Sequence, residues 1–481
     1  MINRALPILT AVSAAALLSA CAVGPKAPDA TLPPQASGAF IGAANPAVTA
    51  QAAARDDWWR LFNDPVLDGL IVQALAENNE LEAAAANLRA VRASLSEARS
   101  GRLPSTQVTG AAQRSRASGA VTPGVPVGQD APEVDTFDAG LDVSYEIDLF
   151  GRVGSTIRAA RADADAAAAA LDVVRVTVAA ETARAYADTC AANAQIAVAE
   201  RTLSLQNDTA RLTQNLLDQG AGNGLDLARA RSAAASTQAT LPPLRAQRDA
   251  ALFRLATLTG VTPAQASVAA RDCTTIPTVA QAIPVGDGAA LLARRPDVRQ
   301  AERRLAAAAA RVNVATAALY PSISLGGSIG TTALDSSDLG QDGNTRFSFG
   351  PLISWSFPNI AVARARIAAA GANTDAALAT FDQTVLTALQ ETETALSAYA
   401  NELDRRTSLR QARDQAANAA RLSRLRFDAG VDSFLSVLDA ERTLAGAESA
   451  LAASEAQVAT YQIGLFKALA GGWSETSSPT A

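Results

Sequence analysis

Four carboxylates lie close together in a run that alternates between apolar and polar residues over 137–149 of this 481-residue chain. They are Asp138, Asp142, Glu146 and Asp148. Side chains two residues apart lie on the same face of an extended strand, so these acids could attract cations or simply keep a water-facing wall soluble. The sequence contains no His, the residue that most often acts as a general base or a metal ligand. Since no nucleophile or metal-binding constellation stands in its place, we predict no enzymatic activity, no metal and no cofactor.

The N-terminal segment predicts export, and its end bears on one of the three cysteines. Residues 1–20 have a basic residue followed by an apolar stretch, as in a secretory signal peptide. They end next to Cys21 in a segment that resembles a bacterial lipobox, which implies that Cys21 becomes a lipidated N-terminus. Cys190 and Cys273 could pair in an oxidising compartment, but we expect Cys190 to be a small buried residue and Cys273 to lie unpaired in a linker. The net charge of −6 gives no indication of nucleic-acid binding.

The chain repeats itself about 210 residues along. Phe137-Asp138-Ala139-Gly140 returns as Phe347-Ser348-Phe349-Gly350, and Gly220 returns as Gly430, so that 347−137 and 430−220 both give 210. Earlier in the copies, Leu103-Pro104 matches Tyr320-Pro321 at an offset of 320−103 = 217. Seven extra residues must therefore lie in the first copy, between Pro104 and Phe137. A repeat this long exceeds a solenoid unit and indicates a duplicated half-subunit.

Each copy contains two alternating segments of about ten residues. We predict strands at about 104–115 and 136–149, and again at about 321–332 and 345–357. That length suits a tilted transmembrane strand, although a soluble antiparallel sheet with one wet face would alternate in the same way. Four strands cannot close a barrel and lipid does not tolerate open edges, so strands that enter a membrane must share a barrel with other subunits.

Long alanine-rich stretches without proline follow each strand pair and run to Gly220 and Gly430. They predict helix hairpins over about 154–259 and 362–470 that turn at these glycines. Residues 154–218 alone would form a helix of about 100 Å. Shorter helices in each copy could stack end to end against the long one, which indicates a tube wall of paired helices. The alternative, a solid coiled-coil bundle, would normally have more Leu and Ile in its seams than these alanine-rich helices have.

These patterns divide the chain into six segments. They are a signal peptide (1–20), a lipidated and extended N-terminal segment (21–56), a first repeat (57–260), a linker (261–290), a second repeat (291–473) and a disordered tail (474–481).

Five stretches along nearly the whole mature chain resemble the TolC-like outer-membrane efflux channels, in particular the NodT-type lipoprotein branch that serves RND tripartite pumps. They are 21–25, 59–65, 294–302, 430–442 and 467–473. The resemblance implies an internally duplicated α+β membrane protein, in which a long α-helical barrel of coiled-coil hairpins continues into a transmembrane β-barrel. Three protomers would share that barrel, with four strands each. The protein would sit in the outer membrane, lipid-anchored, with the helical barrel in the periplasm.

The resemblance also implies a function and its residues. The homotrimer would passively conduct drugs or other small toxic compounds from an inner-membrane RND-type transporter and a periplasmic adaptor, or membrane fusion protein, to the exterior. Its periplasmic gate maps onto Leu435, Asp439 and Arg442, which share one helix face at i,i+4 and i,i+3 spacing. The candidate adaptor contacts at the hairpin tips are Gly220, Gly224, Leu227, Gly430 and Val437. The acids Asp138, Asp142, Glu146 and Asp148 would line the lumen.

Two other functions fit the same patterns. One is an outer-membrane duct for type I protein or polysaccharide secretion, with a different inner-membrane partner. The other is a structural periplasmic coiled-coil lipoprotein, which would need no membrane strands.

Overall fold

Both copies of the repeat fold into the same order of long elements in the computed structural model, which describes residues 24–25, 28, 30–50, 55–126, 128–356 and 360–470. The short strand β1 (Val48–Thr49) precedes the first copy. In that copy, helices α1 (Pro65–Glu77) and α2 (Asn79–Ser100) lead to strands β2 (Ser105–Arg116) and β3 (Glu133–Ile147), and then to helices α3 (Arg152–Asp218) and α4 (Gly224–Leu258).

The second copy follows a short crossover that contains helix α5 (Val268–Arg271) and strand β4 (Ile283–Pro284). Its elements are α6 (Gly288–Arg294), α7 (Pro296–Ala317), β5 (Ser322–Ala333), β6 (Thr345–Ser354), α8 (Ile360–Asp428) and α9 (Phe434–Ala468). Cys21, Phe357 and the predicted tail at 474–481 lie outside the described residues.

The two longest helices end at matching glycines. Helix α3 has 67 residues and α8 has 69, so each is about 100 Å long. Gly220 and Gly430 adopt left-handed φ angles of 74° and 70°, a conformation that costs glycine little. The amide of each glycine and that of the next residue donate back to carbonyls of the last helical turn, which satisfies groups that the helix leaves unpaired.

Helix α4 continues through two adjacent prolines. Pro242 and Pro243 lie inside it and lack the N–H groups that would bond to the preceding turn. The matching positions in α9, at the 210-residue offset, are Ala452 and Ala453. Helices α4 and α9 are both 35 residues long. Because of its two prolines, α4 has fewer backbone N–H groups available for helical hydrogen bonds than α9 has.

The four long strands form one antiparallel sheet in the order β2-β3-β5-β6. Its register places apolar residues of all four strands in one row, formed by Val108, Leu141, Ile329 and Phe347. Asp138, Asp142, Ser328 and Ser348 lie on the opposite face, whereas the charged residues at the loop end of β2 and β3 lie on the same side as the apolar row; they are Arg114, Arg116, Glu133 and Asp135. Strand β3 ends at Ile147 rather than near 149, because Asp148 accepts hydrogen bonds from the amides of Val153 and Gly154 and so caps α3.

The chain divides into two compact units. One contains residues 88–167 and 301–381, together with the described residues up to Ala30, and it holds the four-stranded sheet. The other contains residues 31–87, 168–300 and 382–481, as far as the structure describes them. The core of this second unit is aromatic: Trp58 is fully buried and stacks on Phe466 with their ring centroids 4.9 Å apart, and Phe62 packs edge-on against both.

The expectation that Cys190 and Cys273 stay unpaired is wrong. They form a disulfide that ties the crossover to α3, with a Cα–Cα distance of 5.1 Å. Cys190 is buried among alanines, as its sequence context predicts. The sequence could not show that the crossover folds back onto α3, where Asn193 also donates hydrogen bonds to the carbonyls of Arg271 and Cys273. That fold brings together two cysteines 83 residues apart.

None of the helices in the described part of the chain combines the length and the hydrophobicity that a membrane-crossing helix needs.

Candidate gate, adaptor and pore residues

The hairpin tips expose some of the predicted adaptor-contact residues and bury the others. Gly220 and Gly430 lie at the exposed turns, and Gly224 begins α4. Leu227 and Val437 are buried within the protomer, with 8% and 0% of their surfaces exposed, so their side chains stabilise the hairpins and are not available to a partner. Large apolar side chains that face solvent near the tips include Leu225, Leu425, Val431 and Leu435.

The second hairpin tip is closed by an ion pair. The Arg426 guanidinium donates two hydrogen bonds to the Asp432 carboxylate, at 2.7 and 3.0 Å. The hydrogen bond from Arg426 lowers the pKa of Asp432, and the charge of Arg426 acts in the same direction. The first tip uses another device, since the Asn223 side chain caps α4 by accepting from the amide of Asp226 at 2.9 Å. The two tips are therefore held by different contacts as well as by different residues.

The three predicted gate residues line a single groove. This groove has a volume of about 670 Å³, and Leu435, Asp439 and Arg442 of α9 line it together with Arg229 and Ser232 of α4. The half-exposed Leu435 offers an apolar surface there. In the part of the chain that the structure describes, neither the Asp439 carboxylate nor the Arg442 guanidinium has an ion-pair partner, so the two do not form a latch within one protomer.

A buried acid one position before Arg442 was not found from the sequence. Glu441 accepts a hydrogen bond from Thr209 of α3 at 3.1 Å and pairs with Arg424 of α8 at 3.3 Å, so it joins three helices. Burial raises the pKa of its carboxyl group, while Arg424 and Thr209 oppose that rise. The sequence did offer one indication of this role, because Glu441 lies on the α9 face opposite the groove. An acid on a face that packs against other helices requires partners.

The four predicted lumen acids differ in their surroundings. Asp138 pairs with Arg346 at 2.7 Å, Glu146 pairs with Arg152, and Asp148 caps α3. Within the described residues, the Asp142 carboxylate has neither an ion pair nor a hydrogen bond. The sequence pattern puts these acids on one face of a strand, but it could not show that three of them have partners.

No cluster of three or more potential metal ligands occurs among the residues that the structure describes.

Comparison with known proteins identifies the family. The model of the outer membrane efflux protein family matches residues 70–261 and 289–471, most of the chain and one match per copy. The chain belongs to the outer membrane efflux protein family. It is an outer-membrane channel component of tripartite efflux pumps. The predicted family, the predicted channel function and the predicted outer-membrane location are therefore confirmed.

Individual relatives and a solved structure are similar to this chain over most of its length. The pyoverdine export outer membrane protein OpmQ of Pseudomonas aeruginosa is 32% identical, with 97% of each chain covered. The toluene efflux pump outer membrane protein TtgF of Pseudomonas putida is 31% identical, with 88% of this chain and 86% of TtgF covered. The structure of the outer-membrane channel OprN superposes with a TM-score of 0.87 at 36% identity, covering 94% of this chain and all of OprN. The predicted α+β fold is confirmed.

Efflux channels of this family form trimers and work with periplasmic adaptors and RND-type transporters. The family is one of transport ducts.

Proposed function

We propose that three copies of this chain combine their sheets into one closed 12-stranded barrel, with the apolar face toward lipid and the polar face toward the pore. The observation that carries this proposal is the row formed by Val108, Leu141, Ile329 and Phe347. All four side chains are exposed, by 82, 40, 55 and 83% respectively, on one face of the sheet. A lone sheet with such a face and two open edges suits neither water nor lipid, and closure with other copies satisfies both requirements.

The resulting trimer is the exit duct of a tripartite pump. A periplasmic adaptor docks at the hairpin tips, and the exposed apolar residues Leu225, Val431 and Leu435 are suited to that contact. An inner-membrane RND-type transporter supplies the energy. The cargo is small organic molecules, since the relatives named above export pyoverdine and toluene, and this favours drug-type efflux over protein or polysaccharide secretion.

The resting duct is closed at its periplasmic end. Leu435 supplies an apolar ring that resists hydration, and Asp439 pairs with Arg442 of a neighbouring protomer. Both charged side chains lack partners within their own protomer, as far as the chain is described, which supports a contact between subunits. Contact with the adaptor would break these pairs.

Lipidation of Cys21 anchors the mature protein to the outer membrane. The residue lies outside the described residues, and the proposal rests on the sequence of the segment before it. A Cys21→Ala variant should be lost from the outer-membrane fraction, and normal density there would contradict the anchor.

Planar-bilayer conductance of the purified mature protein, with its oligomer mass recorded alongside, tests the duct. A trimer that inserts and passes small currents supports a shared barrel with a closed gate. A protein that remains monomeric and never inserts would instead support the structural lipoprotein.

A further inference from the structure

Arg346 lies flat on the polar face of the sheet, at the centre of a hydrogen-bonded group. Its Nη2 atom donates to both carboxylate oxygens of Asp138, at 2.7 and 3.0 Å, and its Nε atom donates to the Thr332 hydroxyl at 3.2 Å. That hydroxyl in turn donates to Asp138 at 2.7 Å. The three residues belong to β6, β3 and β5, so the group spans neighbouring strands and holds the guanidinium in one place.

Two glycines make room for the Arg346 side chain. Gly330 is paired with Arg346 in the register, and Gly140 is paired with Gly330 on the next strand. A Cβ atom at Gly330 would lie 2.6 Å from the carbonyl oxygen of Ala139 and 3.3 Å from Arg346 Cζ, and one at Gly140 would lie 3.5 Å from Arg346 Nη2. Because these positions have no side chain, the guanidinium can cross β5 and reach Asp138 on β3.

This arrangement changes the charge expected along the polar face. The sequence alone predicts a continuous acidic stretch, but Asp138 is balanced by Arg346 and Glu146 by Arg152. Asp142 has no ion-pair partner among the described residues, and it lies four residues and roughly 13 Å along β3 from Asp138. The section of the face nearest the two strand-connecting loops is therefore close to neutral, and the next section is acidic.

We propose that Arg346 determines the charge preference of the outer section of the pore by neutralising Asp138, so that anionic as well as cationic cargo can leave past it. The inference rests on the proposed barrel, in which the polar face lines the pore and the three copies contribute three such pairs. Asp142 gives the section nearer the helices its preference for cations.

The test measures the local potential beside Arg346 directly. Ser348 lies two residues along β6 on the same face, where its hydroxyl meets that of Ser328 at 2.8 Å, and Phe349 lies on the opposite face. Ser348→Cys and Phe349→Cys are introduced separately, and intact outer membranes are treated with a trimethylammonium or a sulfonate methanethiosulfonate. The ratio of the two reaction rates in the Ser348→Cys protein reports the sign and size of the nearby charge.

The proposal predicts opposite effects for the two partners. Arg346→Gln should raise the ratio of cationic to anionic reagent rates at position 348 roughly tenfold, because it exposes Asp138, and Asp138→Asn should lower it by a similar factor. Arg346→Lys should keep the ratio near the starting value. Thr332→Val, which removes hydrogen bonds but no charge, is the matched control and should change the ratio less than twofold.

The outcomes distinguish a failure of the role of Arg346 from a failure of the barrel. Reaction of the Ser348→Cys protein but not of the Phe349→Cys protein, with a ratio that Arg346→Gln leaves unchanged, would overturn the role of Arg346 and leave the barrel intact. Equal reaction of both proteins, or no reaction at position 348, would overturn the barrel itself. Heat-modifiable trimers in each variant establish that the rates come from assembled protein.

Discussion

At the scale of single residues, Glu441 joins α3, α8 and α9 next to the predicted gate. Because burial raises the pKa of its carboxyl group, the folded state holds this proton more tightly than the unfolded state does. The contribution to stability is therefore present at low pH and is lost as the pH rises through the folded pKa.

We expect a matching pH dependence in the comparison with Glu441→Gln, which keeps the Thr209 contact. The difference in unfolding temperature, wild type minus variant, should fall as the pH is raised from about 4 to 7. Circular dichroism of the detergent-solubilised protein measures it. Arg424→Gln removes the charge that opposes the pKa rise, so in that background the fall should begin at the same pH, which the unfolded state sets, and continue to higher pH. A difference that is constant with pH would contradict this account.

The gate pair gives a second prediction at this scale. If Asp439 and Arg442 pair between protomers, Asp439→Ala and Arg442→Ala should each raise single-channel conductance, and the double variant should add little to either. An exposed ion pair is worth under about 1 kcal/mol, so each of the three symmetry-related pairs should change the open fraction by at most about fivefold. The control is Asp432→Ala, which breaks a pair that is complete within one hairpin tip and should leave the conductance unchanged. Additive effects of the two gate substitutions would count against a shared contact.

At the scale of elements, the disulfide fixes the crossover to α3. It closes a loop of 83 residues, for which chain entropy gives an upper value of about 4–5 kcal/mol. Dithiothreitol should therefore lower the unfolding temperature of the wild-type protein and leave a Cys190→Ser/Cys273→Ser double variant unaffected. Alkylation of both thiols in the native protein without reductant would show that the bridge is not formed.

The elements also show what sequence patterns can and cannot predict. The alternation around Leu141 and the glycines at 220 and 430 depend on local geometry, so strand faces and hairpin turns follow from the sequence. The bridge from Cys190, the contacts of Glu441 and the pair formed by Arg346 depend on which distant segments meet. Sequence periodicity contains no information on such long-range contacts. An acid on a polar strand face gives the same apolar–polar alternation whether it forms an ion pair or not.

At the scale of the whole molecule, adjacent residues of β3 should differ sharply in what they tolerate. Leu141 lies in the exposed apolar row and Asp142 lies on the opposite face. In a trimeric barrel, Leu141→Lys would place a charge in hydrocarbon, at a cost of about 2–4 kcal/mol per protomer near the middle of the bilayer. Three copies multiply that cost, so heat-modifiable trimers should be depleted from the outer-membrane fraction.

Asp142→Lys introduces the same side chain one residue away, toward the pore, and trimers should form at normal levels. The comparison separates lipid exposure from a general effect of charge on strand formation, since both variants alter the same strand. Equal tolerance of the two substitutions would mean that the apolar row meets water or protein rather than lipid. The open sheet of one protomer would then have to be completed by something other than two further copies in a membrane.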